Sequence, residues 1–158
     1  MIKVGDSIPA VNITTIAEAG QDTVSAQDFF TERKVVLFAL PGAFTPTCSE
    51  AHLPGFVVKY DDILAKGVDA VACLSVNDSF VMKAWQNAQN AEKLTMIADG
   101  GAALTKALGL VLDTADFGGV RSQRYSMIVD NGVVTHLNVE EGSGFEVSNA
   151  ETILVQLG

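Results

Sequence analysis

The residues of this chain that carry chemistry stand close together around one thiol. Cys48 ends the loop Pro41-Gly42-Ala43-Phe44-Thr45-Pro46-Thr47 and opens residues 49–66, which read as a helix. A cysteine at a loop-to-helix junction meets free backbone N–H groups and the positive end of the helix dipole. Both favour a thiolate over a thiol, which predicts a nucleophile at neutral pH. Thr45 brings a hydroxyl three residues before the sulfur, and the two loop prolines stiffen the segment that holds it. His52 lies four residues after Cys48, on the same helix face. It either tunes the thiolate or packs beside the kink expected at Pro54. An arginine would complete the group by stabilising negative charge. Arg121 and Arg124 are both available, and on a strand their spacing puts them on opposite faces. The residues alone leave that choice open.

The elements that must position these groups follow from pattern. Residues 35–40 are apolar throughout and read as a buried strand ending where the Cys48 loop begins. Residues 11–16 and 22–25 read as a strand pair about a turn at 19–22, followed by a short helix over 25–31. Residues 68–76, which contain Cys73, form a second buried strand. The Asn77-Asp78-Ser79 stretch then caps a helix over 80–90. Residues 94–98 form a short strand, 102–108 a helix closed by Gly109, and 111–120 a loop. Asp130-Asn131-Gly132 is the clearest hairpin signal, joining strands 124–129 and 133–139. Ser148-Asn149-Ala150-Glu151 reads as a capping box for a last helix, 150–157. Strands alternating with helices imply an α/β fold: a mixed central sheet with helices on both faces and an N-terminal β-hairpin.

The totals bound the functional class. A chain of 158 residues forms one domain, 1–158, with 48% hydrophobic and 18% charged residues. A net charge of -9 with no basic cluster argues against nucleic acid and anionic membrane as partners. No apolar run is long enough to span a bilayer, and the N-terminal residues show no secretory pattern. Two cysteines do not make a disulfide framework, so a reducing, cytoplasmic setting is expected. No metal-ligand spacing, phosphate loop or haem motif occurs, so no cofactor is expected.

The run Pro-Gly-Ala-Phe-Thr-Pro-Thr-Cys-Ser-Glu-Ala-His-Leu-Pro-Gly-Phe, residues 41–56, resembles the active-site segment of the peroxiredoxins. Within them it is most similar to the peroxiredoxin 5, or type II, group. The resemblance continues through Ala72-Cys73-Leu74-Ser75-Val76-Asn77-Asp78, Trp85 and Arg124-Tyr125-Ser126-Met127. It implies a thioredoxin-like fold and a thiol peroxidase that reduces hydrogen peroxide and alkyl hydroperoxides. Cys48 would be the attacking cysteine, Thr45 and Arg124 would hold the peroxide, and Pro41 would shape and shield the loop. Phe44 and Trp85 would line a pocket, form a subunit interface or simply pack.

A second cysteine in the C-terminal region, usual in part of that group, is missing from residues 142–147. Cys73 is then the one alternative resolving thiol, and a strand cysteine is usually buried and inert. A one-cysteine cycle is therefore expected, recycled by glutathione with glutaredoxin or by thioredoxin. The resemblance also implies a homodimer. Two other readings start from the same thiol. One is a peroxide-sensing redox module. The other is a thiol–disulfide oxidoreductase, which the Thr45 in place of a first Cys-x-x-Cys cysteine disfavours.

Overall fold

Seven strands make one mixed sheet, described with the rest of residues 1–158 by a computed structural model. They are β1 (Asn12–Ala17), β2 (Gly20–Ser25), β3 (Lys34–Ala39), β4 (Ala70–Ser75), β5 (Thr95–Ala98), β8 (Tyr125–Asp130) and β9 (Val133–Val139). Their order across the sheet is β2-β1-β5-β4-β3-β8-β9. The central trio β3, β4 and β5 is parallel, and every other pairing is antiparallel. Helices must therefore carry the chain back across the sheet between β3, β4 and β5.

Successive side chains of β3 alternate between two buried layers. Val36 and Phe38 join Cys73, Met96 and Ile128 on one face. That face is covered by α2 (Leu53–Val58), α3 (Tyr60–Leu64), α4 (Ser79–Ala88) and α6 (Ala150–Leu157) through Phe56, Ile63, Trp85 and Ile153. Val35, Leu37 and Ala39 join Leu74, Ile97 and Met127 on the other face, under α1 (Ala26–Phe30) and α5 (Ala103–Leu108). The expected mixed sheet with helices on both faces and an N-terminal hairpin is present. No helix is long and apolar enough to cross a membrane.

Four local expectations change. The segment 111–120 is not a loop: β6 (Val111–Asp113) and β7 (Val120–Ser122) pair antiparallel from Val111↔Ser122 to Asp113↔Val120. Thr114 closes their turn by donating both its N–H and its hydroxyl to Gly119 O, at 2.8 and 2.7 Å. The single helix expected over 49–66 is three pieces: a π-helical turn at Cys48–His52, then α2, then α3. Pro54, at the start of α2, has no N–H to give and its ring crowds the preceding turn, so the turn widens. The turn of the first hairpin lies at residues 18–19, because Ala17 pairs with Gly20. Finally, Asn149 rather than Ser148 caps α6, accepting from Thr152 N at 2.9 Å. Ser148 is drawn away by Glu140.

Candidate active site

The carboxyl end of β3 and the start of β8 meet at one place. Ala39 pairs with Tyr125, so Arg124 stands beside the point where the chain leaves β3 for the Cys48 loop. The loop is pinned from several sides. Asn77 Oδ1 accepts from Ala43 N at 3.0 Å. Arg121 Nη1 donates to Pro41 O at 2.8 Å, and its Nε donates to Gly118 O at 3.2 Å, tying the β6–β7 hairpin to the loop. A Cβ on Gly42 or on Gly118 would run into that guanidinium, so a side chain at either position would have to displace Arg121.

Cys48 opens the π-helical turn, and its carbonyl accepts from Leu53 N five residues on. The residue is 1% exposed. Arg124 Nη2 donates to Cys48 Sγ at 3.2 Å, while Nη1 of the same fork reaches His52 Nδ1 at 2.9 Å. The choice between the two arginines is thereby decided by geometry: Arg124 holds the sulfur and Arg121 braces the loop. Guanidinium only donates, so His52 Nδ1 must be the acceptor and the ring proton must sit on Nε2. His52 Nε2 lies 3.0 Å from Ser148 O, which accepts that proton. Burial, and then the neighbouring Arg124 charge, hold the imidazole's pKa down to about 3. His52 is therefore neutral at physiological pH and brings no positive charge to the sulfur. Its contribution is to fix the direction of Arg124.

Phe38, Phe56 and Phe145 surround the imidazole, with ring centroids 5.0, 5.7 and 5.0 Å away. Phe145 also lies beneath the Arg124 guanidinium, 5.7 Å from centroid to Cζ.

Thr45 Oγ1 donates its proton to Gly42 O at 2.6 Å, which leaves its lone pairs as acceptors. Pro41, Thr45, Thr47, Gln123, Arg124 and Glu140 line a cavity of about 550 Å³ in front of this group. Phe44 and Trp85 do not line it. Trp85 is fully buried, with its indole N–H donating to Ser49 Oγ at 3.0 Å. Phe44 is 57% exposed and adopts φ 64, with its ring 6.4 Å from Trp85. The strained left-handed backbone at a non-glycine residue is held by the pinned loop around it.

Cys73 lies in the middle of β4 between Phe38 and Met96, fully buried in the same core layer as Cys48. Both thiols are free. Burial, with Cys48 nearby, pushes the Cys73 thiol well above its ordinary pKa. His136 is far from this group in the register of β9, opposite Ile128.

Sequence reasoning missed Asn77, Gly42, Glu140, Phe145 and Ser148 as parts of the site. Asn77 was legible only as part of a helix start. Glu140 lies 92 residues from Cys48 with no local motif to mark it, and Ser148, 100 residues away, was legible only as part of a helix-capping box.

The redoxin family model matches residues 3–154 of the chain. The chain is 47% identical over 159 residues to Peroxiredoxin-2D of Arabidopsis thaliana, covering 99% of this chain and 98% of that one. It is also 47% identical over 163 residues to the chloroplastic Peroxiredoxin-2E-2 of Oryza sativa subsp. japonica, covering 72% of that protein. Among solved structures, reduced Prx3 of Vibrio vulnificus in complex with hydrogen peroxide superposes with a TM-score of 0.96 at 59% identity, over 100% of both chains.

Proposed function

Because the chain belongs to the redoxin family, and within it to the peroxiredoxins, we propose that its thiol peroxidase cycle runs through Cys48 alone. Thr45 and Arg124 hold the peroxide. The observation that carries this reading is the divided Arg124 fork, with one N–H on Cys48 Sγ and the other on a neutral His52.

The first step follows from that geometry. The guanidinium stabilises negative charge on the sulfur through a charge-assisted hydrogen bond. The peroxide enters the cavity with its terminal O–H directed at the lone pairs of Thr45 Oγ1. The thiolate's electron pair attacks that terminal oxygen, an S–O bond forms, and the O–O bond breaks. The departing RO⁻ takes a proton from water to become ROH, leaving Cys48 as sulfenic acid. Arg124 stabilises the charge that spreads over the two oxygens as they meet the buried sulfur. Hydrogen peroxide and alkyl hydroperoxides both fit this scheme. The Vibrio structure with hydrogen peroxide supports the first.

Regeneration then needs an external thiol, which condenses with the sulfenic acid to give a mixed disulfide and water. A second thiol releases reduced Cys48. Glutathione with glutaredoxin is the favoured donor and thioredoxin the alternative. Cys73 stays out of the cycle, a reading supported by its full burial and raised pKa. A reducing compartment supplies such donors. The cytoplasm is one, and the chloroplast named for the rice relative is another.

A homodimer is part of the proposal. Phe44, Phe80 and Phe117, 57%, 85% and 84% exposed, lie on the Cys48 loop, at the start of α4 and in the β6–β7 turn. A second copy would cover them.

Turnover of hydrogen peroxide with glutathione and glutaredoxin tests this reading. Cys48→Ser should be inactive. Cys73→Ser and Cys73→Ala should keep most of the rate, the alanine variant avoiding a hydroxyl in a dry core. If both Cys73 variants fold and are as inactive as Cys48→Ser, the one-cysteine cycle is wrong.

A further inference from the structure

Glu140 is an acidic residue buried beside the site, and the peroxidase chemistry above gives it no task. It follows β9 directly, is 7% exposed, and lines the wall of the cavity. Its backbone N–H donates to Arg124 O at 3.0 Å. Its carboxylate gathers donors from a single short segment. Oε2 accepts from Glu146 N, Val147 N and Ser148 N at 3.0, 2.9 and 2.8 Å, and from Ser148 Oγ at 2.6 Å. Oε1 also accepts from Glu146 N at 3.0 Å. Burial pulls the Glu140 carboxyl upward. The Ser148 hydroxyl and the N–H groups of Glu146, Val147 and Ser148 outweigh it and hold it below the usual carboxylate range.

This one carboxylate holds Ser148 by its N–H and its hydroxyl, and the carbonyl of the same residue faces His52. Ser148 O can only accept, so it keeps the ring proton on Nε2. With the proton there, Nδ1 offers a lone pair to Arg124 Nη1. With the proton on Nδ1 instead, two donors would face each other and the guanidinium would turn away. The remaining N–H of the fork would then leave Cys48 Sγ. The same clamped segment carries Phe145 against both His52 and Arg124.

We propose that Glu140 is a positioning residue for the peroxidase reaction: by clamping Ser148 it selects the Nε2–H tautomer of His52, which aims Arg124 at Cys48. The proposal rests on the reading that Arg124 serves the Cys48 thiolate. Outer partners that set an imidazole's tautomer act by the same principle at metal sites, where their loss lowers function about ten- to a hundred-fold.

The test has two readouts. One is the second-order rate of Cys48 oxidation by hydrogen peroxide. The other is the tautomer of His52 from long-range ¹H–¹⁵N spectra of the reduced protein at pH 7. The chain has two histidines, so His136→Gln assigns the pair. The wild type should show protonated Nε2 and bare Nδ1. Glu140→Gln places an amide N–H₂ among donors. It should mix the tautomers and slow oxidation about ten- to a hundred-fold, and Glu140→Asp should recover part of both. Glu141→Gln, an exposed neighbour, should change neither.

Slower oxidation in Glu140→Gln with an unaltered His52 tautomer would overturn the proposal, as would an unaltered rate. Should both Glu140 variants fail to fold, the wild-type spectrum decides, because a protonated Nδ1 there contradicts the chain of bonds. Failure of the underlying peroxidase reading looks different: the wild type itself would oxidise slowly, whatever its tautomer.

Discussion

His52 gives a prediction whose size can be worked out. Burial and Arg124 hold its pKa near 3 in the folded protein, from an ordinary value of 6.5. Between those values the unfolded chain binds a proton that the folded chain refuses. Stability is therefore complete above about pH 6.5 and falls as the solution is acidified toward pH 3. From pH 7 to pH 5 the unfolded state's occupancy at this site rises from about a quarter of a proton to nearly one, and the loss comes to about 2 kcal/mol. His52→Gln removes the titration while keeping an acceptor for Arg124 and a donor for Ser148 O. Its absolute stability will be lower, because it loses the ring packed against Phe38, Phe56 and Phe145. The informative quantity is the slope. Urea unfolding at half-unit pH intervals from 7 to 5 should show the wild type losing about 2 kcal/mol more than His52→Gln. Glu140 titrates below this window in both proteins. Parallel pH profiles would mean that His52 accepts a proton in the folded state at its ordinary pKa. The neutral imidazole and the direction it gives Arg124 would then be refuted.

Three further outcomes are expected. Arg124→Ala should slow the reaction of Cys48 with peroxide by about a hundred-fold or more. Arg121→Ala, which removes the braces on Pro41 O and Gly118 O but no contact with the sulfur, should slow it far less, and stopped-flow oxidation of both separates the two roles. Trp85→Phe loses the bond to Ser49 Oγ and leaves part of a fully buried indole's volume empty, so it should lower unfolding free energy by about 2 kcal/mol or more, read from urea midpoints. The wild-type protein should sediment as a dimer, and charged substitutions at Phe80 and Phe117 should shift it to monomer; a wild-type monomer would refute the covered-phenylalanine argument.

The legible parts of this protein are those whose causes are local. The uninterrupted apolar runs of β3 and β4 announced strands buried on both faces, and Asp130-Asn131-Gly132 announced the β8–β9 turn, where Asn131 and Gly132 take positive φ. The β6–β7 hairpin was hidden because its strands are three residues long, too short for any period to show. Pro54 signalled a disturbed helix but not its form. A proline interrupts a helix through its missing N–H and crowding ring, and residue types do not say whether the chain answers with a kink or, as at Cys48–His52, a π-helical turn.

At the site, Cys48 and Thr45 were readable because motif and loop chemistry coincide. The choice between Arg121 and Arg124 rests on where each guanidinium reaches, Cys48 Sγ for one and Pro41 O for the other, which residue type does not give. Glu140 and Ser148 stayed invisible because their effect travels through a contact between residues 96 apart. Nothing near them in the sequence distinguishes a clamped carboxylate from a solvated one.

The account stands most directly on the single-turnover reaction of the reduced protein with one equivalent of hydrogen peroxide, followed by Trp85 fluorescence and closed by a free-thiol titration. Trp85 is hydrogen-bonded to Ser49, the residue after Cys48, so it should report oxidation there. The account predicts oxidation far faster than that of a free cysteine, with one thiol lost per chain and no reaction in Cys48→Ser. Loss of two thiols per chain would bring Cys73 into the cycle, and oxidation no faster than a free cysteine's would contradict the activated Cys48 outright.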